Sequence, residues 1–166
     1  MLVAATVQAE EQTTEPQNYL LGSGIADITG PAMGVQLWGF VRDGQVSEGI
    51  HTRQKSRAFI IAEPEGDKRV VFVSADIGSI VPETTLEVVD RLQLLFGDLY
   101  SLDNVILSAT HTHSGPGGFW HMRSDQGIST DFYQEYFDYI VDGIVTSIVT
   151  AHHGLQPGTL LINTGD

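Results

Sequence analysis

The chain contains no cysteine. A disulfide framework and a thiolate metal site are therefore both excluded, and any bound metal must be held by His, Asp, Glu, Tyr or backbone oxygen. Basic residues are also scarce: 8 Lys and Arg stand against 21 Asp and Glu, a formal net charge of −13. A surface of that sign repels nucleic-acid phosphates and gains nothing from anionic lipid headgroups. No apolar run approaches the roughly 20 residues that cross a bilayer, and there is neither an internal repeat nor a low-complexity segment. What remains is ordinary for a globular chain: 166 residues, 42% apolar and 17% charged, enough for one domain with a real core.

The first residues are short and apolar, Met1-Leu-Val-Ala-Ala-Thr-Val-Gln-Ala9, and Val7-Gln-Ala9 resembles a signal-peptidase site. A basic leader is missing and the run is too short for a whole export signal. Residues 1–18 are therefore expected to be a truncated signal-peptide remnant followed by a disordered lead-in, and the protein to be secreted or periplasmic.

Beyond it, β-type runs alternate with helical periods. Ser23–Ile28 reads as a short strand closed by the turn Thr29-Gly30-Pro31. Residues 32–55 read as a long ordered loop rich in glycine, carrying Trp38 and Phe40. Ser56–Ala62 and Arg69–Ala75 form a predicted hairpin around Glu65-Gly66-Asp67. From Pro82 to Phe96 the apolar residues Leu86, Val89, Leu92 and Phe96 follow a helical period, with Pro82 suited to a first turn and Gly97 to a cap. Asn104–Ser108 reads as a buried strand. Asp131–Ala151 reads as a longer helix capped by Asp131, ended by Gly154, with Phe132, Phe137, Ile140, Val141, Ile144 and Ile148 inward. Thr159–Asn163 is a predicted last strand. The pattern predicts an α/β domain, a mixed β-sheet with flanking helices. A last strand so close to Asp166 leaves an exposed sheet edge or a missing neighbour, so residues 19–166 are expected to be an incomplete part of a larger domain.

The chemistry concentrates in Ser108-Ala-Thr-His-Thr-His-Ser-Gly-Pro-Gly-Gly118. A β-type run delivers His111 and His113 into a glycine-rich loop. Side chains two apart on an extended chain point to one side, so both imidazoles can reach one site at a strand end. Neutral imidazole is the commonest metal ligand, and such loops are where chemistry is usually placed. His-x-His alone is weak. Metallo-β-lactamase-type hydrolases need His-x-His-x-Asp-His, and here Gly115 and Pro116 fill the last two slots. Amidohydrolase barrels remain open on this segment.

The surrounding blocks narrow the choice. Gly22-Ser-Gly-Ile-Ala-Asp-Ile-Thr-Gly30, Gly49-Ile-His-Thr-Arg53, Ser56-Arg-Ala-Phe59, Val73-Ser-Ala-Asp-Ile-Gly78, Asn104 through Gly117 and Val141-Asp-Gly-Ile144 occur in one order. Together they resemble the N-terminal portion of the catalytic domain of neutral/alkaline non-lysosomal ceramidases, from about Tyr19 onward. The resemblance implies a zinc-dependent amidase that hydrolyses the N-acyl bond of ceramide to sphingosine and fatty acid. It implies that His111 is a zinc ligand and that His113 is a catalytic residue beside the metal. It implies further zinc ligands, an active-site serine and an arginine downstream of this chain, so the chain alone is expected to be inactive. It also implies calcium or magnesium, bound in part by the backbone carbonyl of His51, with partner ligands from a C-terminal domain. The expected partners are a ceramide-type lipid, the downstream part of the catalytic domain and that C-terminal domain. The alternatives are another zinc amidase or amidohydrolase, or a non-catalytic binding module with the same fold.

Other candidates carry plainer expectations. Asp27 and Asp76 follow strands and are expected to cap turns, though either could orient a histidine. Arg53 and Arg57 are expected to pair with buried carboxylates rather than to act in catalysis. Gly115, Gly117 and Gly118 are expected to serve close approach or positive φ. His121 is expected to be a solvated loop residue, and His152 and His153 to make a helix-dipole contact. Trp38, Phe40, Phe119 and Trp120 are loop aromatics flanking the site in sequence, expected to pack in the core, with contact to a lipid tail as the alternative.

Overall fold

The structure, a computed structural model, describes residues 18–31, 33–39, 44–65, 68–120 and 131–163. Five strands form one sheet: β1 (Asn18–Asp27), β2 (Lys55–Ala62), β3 (Arg69–Ala75), β4 (Val105–Ala109) and β5 (Gln156–Thr159), in the spatial order β4-β3-β2-β1-β5. β1, β2 and β3 run antiparallel, β5 is antiparallel to β1, and β4 is parallel to β3. Helix α1 (Pro82–Phe96) makes the crossover that a parallel pair requires. Helix α2 (Gln134–His153) packs on β1, β2 and β3, with α1 beside it. The mixed sheet with flanking helices is as the alternation of periods predicts.

Alternation along the strands explains the layering. Ala58, Ile60, Ala62, Val71, Val73 and Ala75 are buried on one face. All of them but Ala62 meet Ile140, Val141, Ile144 and Ile148 of α2 in one core. Full burial of such side chains contributes about 1.5–3 kcal/mol each. The opposite rows, Ile25, Phe59, Phe72 and Ile106, stay exposed. Helix α2 lies almost directly on the backbone of β1. A Cβ at Gly24 would overlap the carbonyl of Ser147, and one at Gly22 that of Ala151. The one polar pair inside this contact is satisfied: Ser56 Oγ and Ser147 Oγ are 2.9 Å apart, and Ser147 Oγ also donates to the Ile144 carbonyl at 2.7 Å.

Several predicted elements shift. β1 begins at Asn18, not Ser23, because Asn18–Leu21 pairs with β5. The last strand is Gln156–Thr159, not Thr159–Asn163. Leu161 and Ile162 have strand-like side chains but find no pairing partner among the described residues, and both are 92% exposed. β4 covers Val105–Ala109 and is an edge strand among the described residues, with Ile106 exposed, rather than a buried one. In α1 the buried stripe is Thr84, Val88, Val89 and Leu92, so Leu86 faces outward. Helix α2 starts at Gln134 with Tyr133 as its cap and no side-chain cap bond. Asp131 does not cap it, because the Tyr133 amide is committed to the Gly118 carbonyl at 2.7 Å, tying the approach to the histidine loop. The predicted signal remnant lies outside the described residues, as do Gly66 and Asp67 of the predicted turn. The hairpin itself is closed by the Glu63 amide on the Lys68 carbonyl.

Candidate functional site

β3 and β4 are parallel neighbours, so their carboxyl ends open side by side. The Thr110 amide donates to the Ala75 carbonyl at 2.9 Å, extending the ladder one step past β4. There the chain turns. His111 has φ 60°, the only positive φ of a non-glycine residue among those described. Such a backbone costs about 1–2 kcal/mol in an L-residue and concentrates where function holds it in place.

The turn sorts the side chains of the loop. Thr110, Thr112 and Ser114 line a groove of about 790 Å³ together with His51, Gln54 and Asp76. His111 and His113 are absent from that lining and stand against each other, ring centroids 4.9 Å apart. The structure thus brings together the two histidines singled out in the sequence. It does so through a positive φ at His111 rather than through an extended chain. His51 lies across the loop from them, exposed at the groove.

His111 is oriented by its second nitrogen. Its Nδ1 is 2.9 Å from the Gly78 carbonyl. A carbonyl only accepts, so Nδ1 carries the proton and Nε2 holds the lone pair. Metal-ligating histidines have this arrangement, with the far ring nitrogen donating to a backbone carbonyl or carboxylate. The donor set therefore fits a borderline-soft divalent metal such as zinc, with His111 Nε2 as one ligand. Among the described residues, no group of three or more His, Asp or Glu side chains converges in a way that could hold a metal. The two imidazoles are what these residues bring to such a centre.

The acidic candidates hold loops rather than histidines. Asp27 Oδ1 accepts from the Thr29 amide at 2.9 Å, and Oδ2 from Lys55 Nζ at 2.9 Å and Arg53 at 3.4 Å. Burial opposes its ionisation, but hydrogen bonds from the Thr29 hydroxyl and amide and from Lys55 outweigh that and hold the carboxyl well below the usual range. Asp76 accepts from the Lys55 amide at 3.0 Å and from Arg57 at 2.9 Å. Arg53 and Arg57 thus pair with carboxylates as expected, but with partly buried ones, 24% and 23% exposed, rather than fully buried ones. Gly118 has φ 76°, and a Cβ at Gly115 would overlap Gln54, so both glycines serve the backbone.

The histidines at the end of α2 lie in its last turn, as expected, and His152 has further partners. Its Nδ1 accepts from Tyr100 Oη at 2.7 Å, and its ring stacks on Phe96 at 4.3 Å. Burial, then the positive charge of Arg69 and of His153, push its pKa down. His121 and Phe40 lie outside the described residues. Phe119 is fully buried and Trp120 partly so, as expected. Trp38 is the residue whose importance sequence reasoning missed: it touches both imidazoles, at 4.9 Å from His111 and 5.2 Å from His113. Its position between glycines was the one available signal.

A mixed α/β sheet that presents an oriented imidazole pair where two parallel strands end belongs to the broad class of sheet domains with their chemistry at strand carboxyl ends. Comparison with known proteins narrows this. The family profile of the neutral/alkaline non-lysosomal ceramidase N-terminal region matches residues 19–166, and the chain belongs to that family. It is 49% identical over 148 residues to the neutral ceramidase of Oryza sativa subsp. japonica, covering 89% of this chain and 19% of that protein. It is 44% identical over 148 residues to the neutral ceramidase of Pseudomonas aeruginosa, covering 89% of this chain and 22% of that protein. The crystal structure of the Pseudomonas aeruginosa neutral ceramidase superimposes with a TM-score of 0.80 at 43% identity, over 87% of this chain and 23% of that one. The chain spans about a fifth of the length of these curated relatives.

Proposed function

We propose that this chain supplies one wall of the catalytic centre of a zinc-dependent amidase that hydrolyses the N-acyl bond of ceramide, releasing sphingosine and fatty acid. The observation that carries the reading is the His111 Nδ1 hydrogen bond to the Gly78 carbonyl, which leaves Nε2 as a metal donor at the strand end. The relatives' name, neutral ceramidase, supports the substrate class. When bound, zinc supplies Lewis acidity that polarises a carbonyl and lowers the pKa of water. The chain's own residues do the rest on this side. His111 holds its lone pair in one direction. His113, beside it, donates to the amide oxygen as negative charge develops there. Thr110, Thr112 and Ser114 face the opposite side and shape the groove. His51 offers its main-chain carbonyl to calcium or magnesium there, a hard cation that takes such oxygens readily. The remaining zinc ligands come from downstream sequence, and the working enzyme acts outside the cell or in the periplasm. An open zinc site needs roughly three protein ligands, so the isolated 166-residue chain turns over no ceramide.

The test is zinc content and hydrolysis of a fluorescent ceramide by the protein that joins this chain to its downstream sequence. His111→Ala is expected to lose both zinc and activity. His113→Ala is expected to keep zinc and lose roughly 10²–10³-fold in kcat. Full zinc occupancy in His111→Ala would refute the ligand assignment, and a metal-free, inactive parent protein would favour a binding module instead.

A further inference from the structure

Trp38 completes a triangle of rings with the two histidines. The indole stands edge-on to His111 at 4.9 Å and 77°, and to His113 at 5.2 Å and 68°, while the imidazoles are 4.9 Å from each other. Its backbone is stitched to the histidine loop on both sides. The Trp38 amide donates to the Gly115 carbonyl at 2.9 Å, Leu37 bridges Pro116, and the Gly117 amide donates to the Gln36 carbonyl at 2.8 Å. The indole is thus fixed to the loop whose side chains it touches. Two glycines make room for the rings, Gly78 for the indole and Gly39 for the His113 imidazole. A Cβ at Gly78 would overlap the indole ring, and one at Gly39, where φ is 91°, would come within 2.7 Å of the His113 ring. Gly78 is the same residue whose carbonyl receives His111 Nδ1. One glycine therefore contributes its carbonyl to the first imidazole and its missing side chain to the ring that touches both. The indole Nε1 is buried without an acceptor among the described residues. Backbone stitching and ring packing hold the indole in place.

We propose that Trp38, seated on Gly78, is the positioning residue of this site: it fixes the ring orientation of both His111 and His113, so that His111 keeps a single tautomer with Nε2 free for metal. The inference rests on the reading of His111 as a zinc ligand, and its test is separable from that reading. Partners that orient a metal-binding histidine typically change metal affinity by roughly 10–100-fold when removed.

The experiment is long-range proton–nitrogen NMR of the imidazoles in the full chain without metal, at about pH 8, well above the usual histidine pKa. It compares Trp38→Ala, Trp38→Leu and Trp38→Phe. The parent is expected to show His111 as one tautomer protonated on Nδ1. Trp38→Ala and Trp38→Leu are expected to give a mixture of tautomers and displaced lines for both His111 and His113, and Trp38→Phe to restore the single form. His152 and His153, which pack on Phe96 away from the site, report the integrity of the fold. If Trp38→Ala disturbs those lines too, Trp38→Leu, which keeps much of the volume without the ring, decides. A single Nδ1 tautomer retained in Trp38→Leu overturns the proposal, as does failure of Trp38→Phe to restore it. Titration with zinc alone then follows the same lines, and the Leu variant is expected to bind roughly 10–100-fold more weakly than the Phe variant. No response of the parent's His111 to zinc would count against the zinc reading, while the metal-free tautomers still judge the clamp.

Discussion

Replacing His111 by glycine and by alanine separates the strain at this position from its chemistry. Both variants lose the Nδ1 hydrogen bond to the Gly78 carbonyl, which is worth about 0.5–1.5 kcal/mol, toward the low end for a residue open to solvent. They differ in the backbone. His111 sits at φ 60°, where an L-residue is disfavoured by about 1–2 kcal/mol and glycine is not. Glycine in return loses more freedom on folding, a cost of about 0.5–1 kcal/mol relative to alanine. The balance favours glycine by up to about 1.5 kcal/mol, the reverse of the usual order within regular structure. For a chain of this size a difference of that order moves Tm by a few degrees. Urea unfolding of the two variants, at equal m-values, measures it directly. His111→Gly is expected to unfold near the parent midpoint and His111→Ala clearly below it, with zinc lost in both. An alanine variant as stable as the glycine variant would mean that the left-handed backbone is not held here, and the argument for stored strain would fail.

Three further outcomes follow from the same structure. Gly24→Ala drives a methyl group into the carbonyl of Ser147 on α2, and is expected to cost about 1–3 kcal/mol as overpacking, read as a lowered urea midpoint. His51→Leu in the complete protein is expected to keep activity and calcium, because the proposed contact is a main-chain carbonyl that any residue supplies; loss of both on assay would contradict it. His152 has a folded-state pKa below its unfolded value, so the folded state binds fewer protons, its contribution is complete above about pH 6.5 and is lost as pH falls through the folded pKa; His152→Gln is expected to flatten the stability profile in that window, and an unchanged slope would refute the assignment.

How far the sequence could be read depended on whether a signal was local. Helix α1 lies on its predicted bounds because proline at its start and glycine at its end, with φ 60° at Gly97, act through their own backbones. Of its expected apolar stripe, Val89 and Leu92 are buried and Phe96 packs against the core, while Leu86 faces outward and Val88 is buried in its place; both are apolar, and only the tertiary packing decides between them. β5 was placed too late for a similar reason. Pro157 and Gly158 are poor strand residues, yet they pair with Leu20 and Tyr19, whereas Leu160–Ile162 have the better propensity and no partner among the described residues. Pairing outweighs propensity when the two compete.

The site divides along the same line. Two histidines at i, i+2 are a local pattern, and the pair does converge. What orients them is not local. Trp38 and Gly78 are distant from the histidine loop in the chain, and nothing in either residue's neighbourhood names its partner. Glycine is especially ambiguous, because it can be present for conformation or for space. Gly39 and Gly118 have positive φ, which a turn would demand, while Gly78 does not. Gly78 is instead required where its Cβ would stand inside the indole. The difference has a physical consequence. Alanine at Gly78 strains no backbone angle; it unseats Trp38, and through Trp38 it loosens both imidazoles while leaving the carbonyl that receives His111 in place. A chain that keeps the acceptor for His111 and loses the ring wall isolates the part of the orientation, and of the tautomer it fixes, that comes from packing.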